Sequence, residues 1–296
     1  MSYWRFAFCL SLLALCSAID SGRAGTLAQF RTPFGDIEVE LYDQQKPVTV
    51  QNFKRLVQSG AYDNTFFHRL VPGFVAQGGG YFTFNEVSTD LFGPPWAMLG
   101  SVSSFGNITN EYNVGPRLSN TNGTIAMAKV GNDPNSASSQ WFFNLADNSA
   151  NLDNQNGGFT VFGHVVSDAD GVLPLFNTLY AGYGLVNMAW WYPTDSLAAN
   201  LFQTLPVTYA GFYQPWYADL VYVDISLLSV QITATNSQHR ISWNSITGKP
   251  NIVEYTTALP PAWKTLVVTN GNGSRYTVVD TAATNAFRFY RVRVVY

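Results

Sequence analysis

The sequence predicts a mainly β protein in which an antiparallel barrel is followed by a small β-sandwich. Strand-sized runs follow one another with a single clear helical segment and no regular alternation of strands and helices, which favours a barrel over a doubly wound sheet. After about residue 229, strands and turns recur at short, regular spacing, as in a small sandwich. The length of 296 residues also favours one large and one small domain.

The N-terminal segment has the features of a signal peptide. Arg5 precedes an apolar run over residues 6–16 that is too short to span a bilayer. Small residues follow, and we expect cleavage after Ala24, with Ala18 as the alternative. Residues 1–24 are therefore predicted to be a signal peptide of an exported protein, periplasmic or extracellular, without a membrane span. The competing interpretation is a buried N-terminal helix.

The composition excludes several classes of partner. Charged residues make up 12% of the chain, against roughly 25% in a typical soluble protein, and the formal net charge is −3. We therefore expect no binding of nucleic acid or of an anionic membrane. Cys9 and Cys16 both lie in the predicted signal peptide, so the mature chain would contain no disulfide.

The first unit begins with two predicted strands and a helix. Residues 27–32 and 36–42 are strand-like, and in the second run apolar side chains alternate with glutamates, the period of a half-buried strand. Apolar residues then recur at helical spacing over residues 50–57. Thr49 is the predicted N-cap of this helix and Gly60 its end.

Further strands and two long loops complete the first unit, which is predicted to span residues 26–228. The strands are predicted over residues 66–77, 124–129, 140–145, 159–165 and 220–228. Residues 83–121 and 181–217 are predicted to be expanded loops. The second loop contains the aromatic residues Tyr183, Trp190, Trp191, Tyr192, Phe212, Tyr213, Trp216 and Tyr217. These could form a peptide-binding face, but we expect them to pack the loop onto the barrel.

The second unit, residues 229–296, contains strand-sized runs separated by turn sequences. The runs are RISW, NIVEYTT, WKTLVVT, RYTVVD and FRFYRVRVVY. In its general features the unit resembles small fibronectin-III-like modules, with Trp243, Tyr255 and Tyr290 as predicted core aromatics. Nothing in it indicates catalysis, and we expect it to attach the protein to a protein or envelope partner.

The segment Phe66 to Gly80 concentrates the residues that can carry chemistry. Arg69 lies on an apolar strand, where a side chain with five rigid donors indicates either a functional role or the capping of backbone carbonyls. Three glycines, residues 78–80, could suggest a phosphate-binding loop. That motif requires a following Lys-Ser/Thr and the start of a helix, and neither is present.

Three blocks together resemble the cyclophilin-type peptidyl-prolyl cis–trans isomerases, of the bacterial, exported type. They are FFHRLVPGFVAQGGG, GTIAMAKVGNDPNSASSQWFFNL and NLDNQNGGFTVFGHVV, in the order and spacing of the family. The resemblance covers about residues 26–228. It implies a closed antiparallel eight-stranded barrel with two capping helices, and an enzyme of the EC 5.2.1.8 type. Its substrates would be proline-containing polypeptides, and it would need no cofactor or metal.

The resemblance also implies roles for ten residues. The catalytic group would be Arg69, Phe74 and Gln77, with Gln77 bracing the arginine. The substrate-binding group would be Val75, Ala128, Lys129, Gln140, Phe142, Leu152 and Phe159. In this group, Ala128 and Lys129 match the strand that hydrogen-bonds the substrate chain, while the apolar residues match the walls and floor of a proline pocket.

Four positions depart from the pattern of the family. Val75 replaces a methionine, Lys129 an asparagine, Asn151 a tryptophan and Phe159, at or near its position, a histidine. None of the groups lost would transfer a proton, so we expect an active enzyme whose rate is nearly flat between about pH 6 and 9. The alternative is a catalytically weak protein that binds proline peptides or acts as a scaffold.

Overall fold

A computed structural model describes most of the chain after the predicted signal peptide. The described residues are 26–84, 99–191, 197–228, 230–235, 238–245, 250–258, 261–272, 274–283 and 287–294. The predicted signal peptide therefore lies outside the described residues, as do part of the first expanded loop and Tyr192. No helix among the described residues is long and apolar enough to cross a membrane.

Eight strands of the first unit form one antiparallel sheet. The first eight strands along the chain, not all of them in this sheet, are β1 Leu27–Thr32, β2 Gly35–Leu41, β3 Arg69–Val71, β4 Val75–Gly78, β5 Tyr81–Thr83, β6 Leu99–Ser101, β7 Thr124–Met127 and β8 Trp141–Asn144. The later ones are β9 Val161–Ser167, β10 Tyr180–Ala181, β11 Tyr183–Val186, β12 Leu205–Ala210 and β13 Asp224–Leu228. The order in the large sheet is β13-β1-β2-β9-β7-β8-β4-β3, and β5 pairs with β6 alone. The mainly β fold with an eight-stranded antiparallel sheet is as predicted.

The two edges of this sheet meet only briefly. Just before β3 and β13, a single bridge joins Phe66 to Tyr222, with the Phe67 N–H donating to the Val221 carbonyl at 2.9 Å. Further along β3, the Leu70 N–H donates instead to the Thr204 carbonyl at 2.8 Å. The outer edge of β3 is thus paired with the second expanded loop, and no continuous ladder between β3 and β13 is found in the described residues.

Two helices pack against the core of the large sheet. They are α1, Pro47–Gln58, and α3, Val172–Phe176, and both bury apolar side chains in the same hydrophobic cluster. Two further short helices are α2, Ser149–Leu152, and α4, Leu197–Leu201. Two capping helices are therefore present, as the resemblance implied.

The predicted start of α1 is wrong by three residues. Lys46, and not Thr49, is the N-cap, because Pro47 fits the first helical position, where no N–H is required. The free N–H groups of Val48 and Thr49 donate to the Glu111 carboxylate at 3.1 and 2.7 Å. A residue distant in sequence therefore caps this helix, so the local pattern could not identify it.

Two predicted segments have more structure than expected. The run 66–77 is a hairpin of β3 and β4 that turns at Pro72-Gly73, where Gly73 has a φ of +72°. The segment 181–217 is not an irregular loop, because β10, β11 and β12 form a three-stranded sheet with its own hydrophobic core. The predicted closing strand begins at Asp224 rather than at residue 220.

The aromatic residues of this insertion divide into two groups. Phe202 and Tyr217 are buried in its core, next to Met188 and to Phe66, which lies just before β3. In contrast, Tyr183, Trp190, Phe212, Tyr213 and Trp216 remain exposed. The expectation that the aromatic cluster packs inward is therefore wrong for these five.

The second unit contains two three-stranded antiparallel sheets. One has the order β14 Val230–Thr235, β15 Gln238–Asn244 and β18 Arg275–Asp280; the other has β17 Lys264–Asn270, β16 Pro250–Thr256 and β19 Phe289–Val294. Trp243 of one sheet and Val253 of the other are buried in a shared hydrophobic cluster, with Tyr290 at its edge. Tyr255 does not join this cluster; its ring lies 4.5 Å from the Arg288 guanidinium.

Candidate active site

A small hydrophobic cluster, separate from the main core, contains all the predicted apolar site residues. Its buried members are Val75, Ala126, Phe142, Leu152 and Val161, and its partly buried members are Tyr42, Phe74, Leu118, Ala128 and Phe159. Strands β4, β7, β8 and β9 each supply one of the buried members, and α2 supplies Leu152. The structure thus brings together side chains that the sequence separates by more than 80 residues. We call this cluster the proline pocket, after the role that the resemblance implies.

Sequence reasoning missed four members of the proline pocket. These are Tyr42, Leu118, Ala126 and Val161. Ala126 and Val161 could have been inferred from strand alternation, because Ala128 and Phe159 lie two residues away in sequence. Tyr42 and Leu118 enter from distant segments, and no local pattern indicates them.

Arg69 lies beside the pocket on β3, directly opposite Gln77 of β4. Its side chain is half-buried, and this burial lowers the pKa of Arg69 below its ordinary value. Among the described residues no carboxylate forms an ion pair with it and no carbonyl accepts a hydrogen bond from it. The guanidinium is therefore not used as a carbonyl cap, and its donors remain for a ligand.

The side chain of Gln77 is held by another glutamine. Its Nε2 donates to Oε1 of Gln140 at 2.7 Å, across the β4–β8 pair. The expected brace between Gln77 and Arg69 is not found in the described residues. Gln77 and Gln140 instead form a polar edge between Arg69 and the pocket.

The glycine run 78–80 is explained by packing. A Cβ on Gly78 would lie 2.6 Å from the Trp141 ring, and one on Gly80 would lie 3.0 Å from the Gln140 side chain. Glycine therefore lets β4 approach the strand that carries Phe142. This accounts for the run without a phosphate.

The Lys129 side chain makes contacts that the sequence did not indicate. It follows β7, and the preceding Ala128 N–H is already bonded to the Gln140 carbonyl at 2.9 Å, so that donor is not available to a substrate chain. The Lys129 Nζ donates to the carbonyls of Asn156 and Gly158, both at 2.7 Å, and lies 4.6 Å from the Phe159 ring centroid. Burial lowers the pKa of Lys129 to about 8, although Asp133 opposes the shift.

Three buried asparagines connect opposite sides of the pocket. Asn148 Nδ2 donates to the Phe74 carbonyl at 2.8 Å, and Asn120 Nδ2 donates to the Phe159 carbonyl at 3.0 Å. Asn144 lies between them, since its Nδ2 donates to Asn120 Oδ1 at 3.2 Å and its Oδ1 accepts from Asn148 at 2.8 Å. At most 7% of each side chain's surface is exposed. No pattern in the sequence indicates this network.

The three histidines do not form a metal site. His68 is buried, and burial together with the nearby Arg69 charge lowers its pKa to about 3, although a hydrogen bond with Gln140 as acceptor favours the charged form. His164 lies 3.9 Å from Glu40, and His239 lies 2.8 Å from the Tyr290 hydroxyl. No group of three or more metal-ligating side chains occurs in the part of the chain that the structure describes.

Two clefts are present near these elements. One, of about 280 Å³, lies beside Arg69 and is lined by Arg69, Val71, Asn200, Leu201, Gln203 and Thr204. A larger one of about 450 Å³ runs along α1 and contains none of the predicted site residues.

Comparison with known proteins identifies related chains. Residues 27–177 match the family model described as cyclophilin type peptidyl-prolyl cis-trans isomerase/CLD. A peptidyl-prolyl cis-trans isomerase of Acinetobacter baylyi is 36% identical over 55% of this chain and 78% of its own length. Peptidyl-prolyl cis-trans isomerase A of Dickeya dadantii is 40% identical over 53% of this chain and 74% of its own. A crystal structure of a Cryptosporidium parvum cyclophilin-type isomerase aligns at a TM-score of 0.43 and 22% identity, over 68% of this chain and 98% of that one.

Proposed function

This chain belongs to the cyclophilin-type peptidyl-prolyl cis–trans isomerase family and is an enzyme of that type, and from this premise we propose how it acts. The proline pocket holds the proline ring of a substrate polypeptide, and Arg69 donates a hydrogen bond to the prolyl nitrogen as the peptide bond twists. The observation that carries this proposal is a half-buried arginine without a protein partner among the described residues, paired with Gln77, which in turn pairs with Phe142 of the apolar cluster.

The chemistry requires only a donor and a dry pocket. Rotation about a peptide bond is opposed by a barrier of roughly 18–20 kcal/mol, because the nitrogen shares its lone pair with the carbonyl. In the twisted state that lone pair is localised on nitrogen and can accept a hydrogen bond from Arg69. A preorganised donor therefore stabilises the transition state more than the ground state. His68, uncharged and buried, has no part in this step.

An arginine substitution tests this mechanism. We expect Arg69→Ala to lower kcat/KM for a proline-containing tetrapeptide by about 10²–10³-fold, since removing one transition-state donor typically has this effect. Arg69→Lys keeps the charge but not the planar fork and should recover only part of the loss. If wild type and Arg69→Ala isomerise the peptide equally slowly while both bind it, the protein is a proline-peptide binder or scaffold.

We further propose that the enzyme is exported and assists the folding of exported proteins. The support is the signal-like sequence of residues 1–24, which precedes the described residues. Slow prolyl isomerisation, taking about 10–100 s at 25 °C, limits the folding of many chains, and an exported isomerase would relieve this. Expression with the complete N-terminus, followed by fractionation and N-terminal sequencing, should give a mature chain that begins after Ala24 or Ala18. An intact N-terminus in the cytoplasm would contradict export.

The finer architecture is also a proposal. We propose that residues 26–228 form a closed barrel with an insertion at its seam, and that residues 229–296 form a separate fibronectin-III-like sandwich that binds a protein or envelope component. The support is the bridge at Phe66 in the first unit and the hydrophobic cluster shared by two sheets in the second. Limited proteolysis should cut near residue 229 and leave two folded fragments; a single unfolding unit that resists cleavage there would contradict the boundary.

A further inference from the structure

The cleft beside Arg69 is built by the insertion, which is folded firmly against β3. The Thr204 carbonyl accepts the Leu70 N–H at 2.8 Å, and Phe202 and Leu205 on either side are fully buried. The Phe202 ring lies 5.9 Å from that of Phe66, just upstream of Arg69. The backbone that carries the cleft residues is therefore fixed relative to the catalytic arginine.

The order of strands shows where the cleft lies relative to the pocket. Across the sheet the sequence is β7, β8, β4 and β3, so the site runs from Ala128 through Phe142 and Gln77 to Arg69. The insertion lies on the outer side of β3, where Leu70 bonds to Thr204. A polypeptide that crosses the pocket from the Ala128 edge and passes Arg69 would next reach this cleft.

The lining of the cleft suits an extended peptide. Val71 and Leu201 are partly exposed and provide an apolar surface, while Asn200 and Gln203 are exposed amides. Amide side chains can both donate to and accept from a peptide backbone, which makes them suitable for sequence-tolerant binding. A volume of about 280 Å³ is at the small end of ligand sites, enough for short flanking residues but not for a folded partner.

We propose that this cleft is a second subsite of the isomerase, which binds the substrate residues that flank the proline on the side away from Ala128. Asn200 and Gln203 hydrogen-bond the substrate backbone, and Val71 with Leu201 contacts one apolar side chain. The proposal rests on the proposed function, because Arg69 joins the two parts of the site. The insertion thereby makes the enzyme prefer longer chains over minimal peptides.

Peptide length provides the test. A proline tetrapeptide is compared with two peptides extended by three residues, one on each side of the proline. For the wild type we expect one extension, and only one, to raise kcat/KM by about three- to tenfold, as a net gain of about one hydrogen bond would. In the double variant Asn200→Ala/Gln203→Ala, kcat/KM for the extended peptide should be close to kcat/KM for the tetrapeptide, so that their ratio is about one.

A matched control removes two exposed amides elsewhere. Gln51→Ala/Gln58→Ala changes the exposed face of α1 and should keep the wild-type ratio. The subsite is excluded if neither extension helps, if both help equally, or if the double variant keeps the gain. These outcomes differ from failure of the proposed function, in which the wild type would not accelerate isomerisation of the tetrapeptide at all.

Discussion

The two walls of the proline pocket are held in place by different means. The strand-held wall, Val75, Gln77 and Phe142, lies on β4 and β8, where ladder hydrogen bonds fix the position of each residue. The loop-held wall, residues 156–159, has no ladder. Besides two local backbone bonds, from Gly158 and Phe159, it is held by the side chains of Lys129, Asn120 and Asn110. The backbone thus determines the first wall, whereas the second depends on a few polar contacts that single substitutions can remove.

The largest expected difference is in stability between two phenylalanine substitutions. Phe142 is 4% exposed, and Phe142→Ala should lower the free energy of unfolding by about 3–5 kcal/mol through the cavity that it creates. Phe159 is only partly buried, so Phe159→Ala should cost roughly 1 kcal/mol while still weakening substrate binding. Denaturant unfolding of both variants measures this, and equal losses would show that the two walls are equally integrated in the fold.

The asparagine network is expected to couple the walls. Asn144→Leu removes the central member and leaves polar groups of Asn120 and Asn148 without a partner, which should cost about 1–3 kcal/mol of stability. Because Asn120 holds the Phe159 carbonyl, KM should rise more than kcat falls. The control is Asn154→Ala, at an exposed position between α2 and the loop-held wall. A stability loss without any change in KM would mean that the network is only structural.

Lys129→Met tests the loop-held wall by itself. The substitution keeps a long apolar side chain but removes the two bonds to the 156 and 158 carbonyls, so the wall should loosen. We expect KM to rise about two- to fivefold with kcat nearly unchanged, as for the loss of about one hydrogen bond. The control is Lys264→Met, an exposed lysine of β17. An unchanged KM would exclude a positioning role for Lys129.

The smallest expected effect is a dependence of KM on pH. Because the pKa of Lys129 is about 8, its ammonium loses its proton above that pH, and with it the charged hydrogen bonds and the attraction to the Phe159 ring. The expected flat rate profile should therefore hold only up to about pH 8, above which KM rises in the wild type but not in Lys129→Met.

Whereas substrate binding should weaken above pH 8, the contribution of Lys129 to the free energy of unfolding should increase over the same pH range. The folded pKa of Lys129 lies below its unfolded value of about 10.5, so between these values the unfolded chain binds more protons and the contribution of this group to stability rises with pH. Unfolding measured at pH 7.5 and 9.5, in wild type and Lys129→Met, checks the sign. A larger fall in stability for the wild type than for the variant would contradict it.

The sequence by itself determined the strand-held wall and the family. The resemblance carried by the three blocks indicated Arg69, Phe74 and Phe142, and strand pairing brings the segments that contain them side by side. The sequence likewise predicted the hairpin of β1 and β2, most of α1 and, within a few residues, a strand for each of the five strand-like runs in the second unit. These features depend on local periodicity, which is written in neighbouring residues.

Only the tertiary structure decided the loop-held wall, the cap of α1 and the fold of the insertion. Glu111 caps a helix more than 60 residues away, and Lys129 donates to the carbonyls of a loop 27 and 29 residues downstream. The Thr204 carbonyl accepts a hydrogen bond from Leu70, at the outer edge of the strand that carries Arg69. Each is a contact between a polar group and a backbone group distant in sequence. Such contacts leave no periodic pattern, since they are selected by which buried donors and acceptors remain unpaired once the chain has folded.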